Sequence, residues 1–137
     1  MIIHCTINGR PVSATVEAHD TLRSLLVRLG HFSVRDSDDR EGFAGSDTVL
    51  VDDTPVYANL MLAAELDGAE IRTPDSLAQG GELTIVQQAM IDAGIVQSAY
   101  NAPAAALLLT WLLEHYPNPT REDVKDVLSG IFVRDAG

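Results

Sequence analysis

Residues 1–8 alternate in polarity, with Ile3, Cys5 and Ile7 on one face and His4 and Thr6 on the other, the period-2 pattern of a half-buried strand. Asn8-Gly9 follows, the dipeptide best suited to a two-residue hairpin turn, in which both positions need a positive φ. Val12, Ala14 and Val16 share a face of a second strand. The period then changes. Leu22, Leu25, Leu26 and Leu29 recur at helical spacing, with Asp20 as the expected N-cap and Gly30 as the expected stop. A long polar loop leads into the apolar strand 48–51 and a turn expected at Pro55, and residues 60–66 and 70–73 complete this first unit.

Residues 74–81 contain Pro, Asp, Ser and Gly-Gly and mark an expected domain boundary. Beyond it the pattern is helical. Ile85, Val86, Ala89 and Met90 define a helix over 84–93 that Gly94 stops, and residues 102–115 define a second with Pro103 in its first turn, where proline is tolerated. Thr120 is an N-cap with Asp123 three residues on, a variant of the capping box, for a third helix carrying Val124, Val127 and Leu128 and ending at Gly130. Strand, hairpin, strand, helix, long loop, strand is the order of a β-grasp fold. The expected class is therefore α+β, with a β-grasp domain at 1–75 and a small helical domain at 82–137.

Composition narrows the function. At 137 residues and 46% hydrophobic the chain is long enough to bury a core. A net charge of −11, spread along the sequence, argues against nucleic acid and anionic membrane surfaces as partners. Met1 leads directly into a strand with no signal-peptide pattern, and the longest apolar run, 102–113, is too short to span a bilayer, so a cytoplasmic location is expected. One cysteine excludes an intrachain disulfide. Cys5, between Ile3 and Ile7, reads as a buried structural thiol. His4, His19, His31 and His115 have no metal-like spacing and no local acid or nucleophile, and read as surface or capping residues. The apolar stripe 107–109 and 111–113 reads as core or subunit interface.

The loop from Asp36 to Asn59 carries the informative spacing. Asp39, Ala44, Asp47 and Asn59 stand at X-x4-X-x2-X-x11-X, the spacing at which plant-type ferredoxins place four cysteine thiolates around a [2Fe–2S] cluster, and none of the four is cysteine. Oxygen ligation of Ca²⁺ or Mg²⁺ by Asp36, Asp38, Asp39, Glu41 and Asp47 is a competing idea. Arg40 at a ligand position and Glu41 at the turn position, where an EF-hand requires glycine, favour a solvated acidic loop instead.

Across nearly its full length the chain resembles the small iron–sulfur subunit of the molybdenum hydroxylases, of the xanthine dehydrogenase, aldehyde oxidase and carbon monoxide dehydrogenase types. The matching pieces, in order, are Ile7-Asn8-Gly9, Thr48-Val49-Leu50-Val51-Asp52, Val86-Gln87-Gln88-Ala89, Pro117-Asn118-Pro119-Thr120-Arg121-Glu122 and Leu128-Ser129-Gly130. The resemblance implies a β-grasp domain and a helical domain, each with one [2Fe–2S] cluster, relaying electrons from a molybdopterin on a large subunit toward a flavin. It places the second ligand set at Ser98, Asn101, Val133 and Asp135, again without cysteine, while Gly42 and Gly45 keep the family's loop glycines.

Thiolates hold iron because they are soft, anionic donors; Asp, Asn and Ser oxygens are harder, and Ala44 and Val133 offer no donor. All eight positions therefore read as vacated, with Phe43 and the Tyr100, Phe132 and Val133 group expected to plug the space, since buried voids are costly. The expected function is a cluster-free, non-electron-transferring structural subunit of a molybdenum-hydroxylase-like complex. It is not catalytic alone and supports a complex whose chemistry is either oxidoreductase-like or redox-neutral, of the hydratase or hydrolase type. No cofactor is expected in this chain, with molybdopterin or FAD on a large molybdopterin-type subunit and a medium FAD-type subunit. The resemblance also puts Gln97 where it hydrogen-bonds a pterin on the partner, though a polar residue capping a helix turn looks the same. The alternative is an oxygen-ligand metal-binding protein re-using Asp39, Asp47 and Asn59, or a free-standing adaptor.

Overall fold

The computed structural model describes residues 1–31, 47–79 and 103–128. The first strand, β1 (Ile2–Ile7), pairs antiparallel with β2 (Arg10–Thr15), Ile2 opposite Thr15 and Ile7 opposite Arg10. Asn8 and Gly9 have φ of 52° and 82°, as a primed hairpin turn requires. The Asn8 side chain also fastens the far end of the unit: its Oδ1 accepts from the Thr73 N–H at 2.8 Å and its Nδ2 donates to Thr73 Oγ1 at 2.9 Å.

Helix α1 (Leu22–Arg28) buries Leu22, Leu25 and Leu26, as the leucine spacing predicts, whereas Leu29, expected on the same face, is the C-cap and is exposed. Its cap is Thr21, not Asp20. Thr21 Oγ1 accepts from the Ser24 N–H and Ser24 Oγ accepts from the Thr21 N–H, each at 3.1 Å, a reciprocal capping box. Asp20 is occupied elsewhere: its carboxylate accepts from the Glu17 N–H and its carbonyl from the Ala63 N–H, both at 2.8 Å. The helix closes as a Schellman motif, with the Gly30 and His31 N–H groups donating to the Val27 and Leu26 carbonyls.

Strands β3 (Thr48–Val51) and β4 (Thr54–Tyr57) form a second antiparallel hairpin. Its turn is Asp52-Asp53, with φ of 49° and 66°. Pro55, expected in the turn, lies inside β4 opposite Leu50; β4 is an edge strand, where the missing N–H of proline is tolerated. Residues 58–60 and 63–66 wind as short 3₁₀ turns before β5 (Glu70–Arg72), which pairs parallel with β1 and antiparallel with β3. The mixed sheet has the order β2-β1-β5-β3-β4.

Because successive strand residues point to opposite faces, the sheet serves two cores. Ile3, Cys5, Ile7, Ala14, Val49 and Ile71 pack with the α1 leucines. Leu50, next to Val49, belongs to the other core, with Leu77 and the helices α2 (Pro103–His115) and α3 (Arg121–Leu128). Residues 104–109, Trp111 and Leu112 of α2 are all buried, so the helix is apolar around its circumference, as an interior helix is. Its buried Thr110 is satisfied by the Ala106 carbonyl at 2.8 Å. Thr120 and Asp123 form the predicted cap of α3, each side chain accepting from the other's N–H at 3.0 Å. The class is α+β, as expected. The helix expected over 84–93 and the stop at Gly130 lie outside the described residues. Among the described residues no helix is long and apolar enough to cross a membrane.

Candidate functional site

Two of the eight spaced positions, Asp47 and Asn59, fall within the described residues, and the β3–β4 hairpin brings them together. Thr48 pairs with Tyr57, so one step outward Asp47 meets Ala58, and the Ala58 N–H donates to the Asp47 carbonyl at 3.0 Å. The eleven residues between Asp47 and Asn59 are consumed by the two strands, their turn and Ala58. The Asp47 side chain turns inward, is fully buried, and through Oδ2 accepts from the Asn59 N–H at 3.0 Å. Its Oδ1 is buried and has no hydrogen-bond partner among the described residues. The expectation of a solvated acidic loop therefore fails at Asp47: the hairpin register carries this carboxylate into the interior.

Asp39, Ala44, Ser98, Asn101, Val133, Asp135 and Gln97 lie outside the described residues, as do Asp36, Asp38, Glu41, Gly42, Gly45, Phe43, Tyr100 and Phe132. Among the described residues no group of three or more His, Cys, Asp or Glu side chains is placed to hold a metal ion.

Cys5 is buried in the α1-side core, and burial pushes its thiol above the ordinary 9.0, with the nearby Asp67 carboxylate adding to the rise. The folded thiol holds its proton more tightly than the unfolded one. The stability this group contributes is thus complete below the unfolded-state value near 9 and is lost as pH rises through the folded-state value above it. We expect one thiol per chain to react with a disulfide reagent at pH 8 only after denaturant is added, which a thiol titration measures. Immediate reaction in the native state would show Cys5 to be accessible.

Three of the histidines do find acids, two of them from sequence positions that local reading does not connect. His31 Nδ1 lies 3.6 Å from an Asp75 carboxylate oxygen and His115 Nε2 lies 2.7 Å from Asp53 Oδ2, while His19 lies 3.8 Å from its neighbour Asp20. His4 Nδ1 bonds Ser13 Oγ across the first hairpin at 2.8 Å.

Residues 73–137 match the family model of the [2Fe-2S] binding domain. The chain is 33% identical over 136 residues to the nicotinate dehydrogenase small FeS subunit of Eubacterium barkeri, covering 98% of this chain and 86% of that one. It is 53% identical over all 137 residues to a protein of Escherichia coli K12 named probable hypoxanthine oxidase XdhD, of whose length it spans 14%. Among solved structures, quinoline 2-oxidoreductase from Pseudomonas putida 86 matches with a TM-score of 0.76 at 29% identity, over 98% of this chain and 83% of that one. Aldehyde oxidoreductase from Desulfovibrio gigas matches with a TM-score of 0.73 at 26% identity, over 93% of this chain and 14% of that one. The α+β fold, with its mixed sheet and packed helices, is thus one shared with these oxidoreductases. The chain belongs to the family of small [2Fe-2S] subunits of the molybdenum hydroxylases, the xanthine dehydrogenase family.

One expectation is corrected here. The expectation of no cofactor in this chain does not stand: the domain matched over 73–137 is a [2Fe-2S] binding domain and the nicotinate dehydrogenase relative is a small FeS subunit, so [2Fe-2S] is the cofactor to which this chain's family points. The donor set does not fit a cluster held by four cysteines. The sequence contains one cysteine, residues 73–137 contain none, and the one thiol is buried among the residues that pack on α1.

Proposed function

We propose that the chain is a structural small-subunit module of a molybdenum-hydroxylase-like enzyme, which shapes and covers a molybdopterin-type partner and does not relay electrons. One observation carries this reading. At the third and fourth positions of the plant-type ligand spacing, the described residues present a carboxylate bonded to a backbone amide, Asp47 to Asn59, where the family's relay requires thiolates on iron. The two-unit organisation, 1–75 and 82–137, belongs to this proposal, with Leu50 and Leu77 supporting the helices. So do Gln97 as a contact to the partner's pterin and an FAD-bearing medium partner. The 53% identity to a protein named as a hypoxanthine oxidase supports a purine as the class of substrate handled by the partner.

A second reading is favoured by the match over 73–137: a [2Fe-2S] group is held by donors other than four cysteines and the chain passes electrons. Copurification of the native assembly, with the chain present and removed, tests the structural reading. The structural reading expects a large molybdopterin-type partner, or such a domain in the same polypeptide, whose pterin site loosens when this chain is removed. A pterin site indifferent to the chain's removal would contradict it.

A further inference from the structure

The β3–β4 turn carries an oddity that the ligand spacing does not account for. Two successive non-glycine residues, Asp52 and Asp53, hold positive φ, a conformation costly for L-residues though least so for Asp and Asn. Each is fastened to a different neighbour. Asp52 ties to β5, its N–H donating to the Glu70 carbonyl at 2.8 Å and its Oδ1 accepting from the Glu70 N–H at 2.9 Å. Asp53 ties to the last turn of α2: its carbonyl accepts from Trp111 Nε1 at 2.9 Å, and its carboxylate lies 2.7 Å from His115 Nε2. The Trp111 and His115 rings lean on each other, centroids 5.1 Å apart and planes 47° apart, so the two contacts are presented as one unit. One strand further, Arg72 of β5 bonds Glu114 at 2.8 Å.

Strained backbone persists where its surroundings over-determine it. A glycine at 53 would relieve the turn but present no carboxylate to His115. We propose that Asp53 is a positioning residue, a pin through which the β3–β4 turn fixes the C-terminal end of α2 against the sheet. The apolar seam around Leu50 and Leu77 buries the middle of the helix without fixing its register, because apolar packing is non-directional. The Asp53 carbonyl and carboxylate supply two directional contacts at one end. With the pin intact the helix has one seat on the sheet; with it lost, the last turn of α2 lifts while the seam stays closed. The inference concerns the chain's own joint and holds whether or not a cluster is carried.

The test is residue-resolved amide hydrogen exchange on the full chain for D53G, D53N and the double variant W111F/H115Q. D53G keeps the carbonyl and removes the carboxylate. It is expected to raise exchange at residues 111–116 by about tenfold and leave the β1–β2 amides unchanged, as a local opening does. D53N tolerates the left-handed turn and keeps an oxygen for His115, so it is expected to restore most of the protection. W111F/H115Q is expected to raise exchange at 111–116 and at the turn amides together. Unchanged protection in D53G would overturn the proposal, as would a rise in the β1–β2 hairpin equal to that in the helix. Asp53 is exposed at the surface, so D53G alone decides the matter if the double variant does not fold.

Discussion

Asp47→Ala is expected to lower stability by about 2 kcal/mol, whereas Asp47→Asn stays within about 0.5 kcal/mol of the native chain, both read by urea titration. The alanine variant leaves the Asn59 N–H facing a void where a fully buried carboxylate had accepted its hydrogen bond. A charge-assisted bond of this kind contributes about 1.5–3 kcal/mol net, and an orphaned donor that is only partly buried recovers some of that from water. The asparagine variant keeps an acceptor oxygen for Asn59. It also removes the charge shared with Oδ1, which is buried and has no partner among the described residues. If Asp47→Asn proves as damaging as Asp47→Ala, the negative charge itself is needed at this position. That result would favour the oxygen-ligand cation reading of the loop over a hydrogen-bonded tie.

Leu50→Ala carries the other large effect. Val49 and Leu50 are adjacent and both buried, yet they fill different cores, so the pair measures the two sides of the sheet separately. Truncating Leu50 removes a side chain that packs with α2 and α3, with an expected cost of about 3 kcal/mol and a melting-temperature drop on the order of 10 °C. The loss should concentrate on the helical side. Tryptophan emission, reporting Trp111 in that core, should change at lower urea than the far-ultraviolet signal of the sheet. Val49→Ala should weaken the α1 side first and leave Trp111 emission coupled to the main transition. Coincident transitions in both variants would mean that the two cores melt as one unit.

How far the sequence could be read depended on the range of the interactions that decide each element. Strand β1, the Asn8-Gly9 turn, the leucine face of α1, strand β3, the interior helix α2 and the Thr120 cap rest on neighbours a few residues away, and periodicity exposes them. The misreadings share a cause. Pro55 looked like a turn because proline usually punctuates, while the actual turn, Asp52-Asp53, has neither glycine nor asparagine to announce it. Missing that turn also hid β4, and without β4 nothing places Asp47 beside Ala58 and Asn59. An aspartate in an acidic loop then reads as solvated, although it is fully buried. Asp20 was the stronger capping residue by type, but Thr21 holds the position because Ala63 and Glu17 take up Asp20's groups. The contacts of Asp53 with Trp111 and His115 cross the whole fold and have no local signature.

Family membership was legible in short matching pieces and is carried by alignment over nearly the whole chain. The cysteine count needs no structure, but the expectation of no cofactor drawn from it is the one that the [2Fe-2S] domain match over 73–137 overturned. What the cysteine count could not reveal is that the third and fourth spaced positions are joined to each other through a carboxylate and a backbone amide.

The proposed structural role requires that this module holds shape and does not carry electrons. Anaerobic reductive titration of the purified full chain, followed by electron paramagnetic resonance with iron and acid-labile sulfide counted per chain, is the decisive measurement. A purely structural module takes up no reducing equivalents and gives no reduced-cluster signal, with the fold intact by circular dichroism. Uptake of one electron per chain, with a reduced [2Fe-2S] signal and matching iron and sulfide, would contradict it and establish the chain as a working relay.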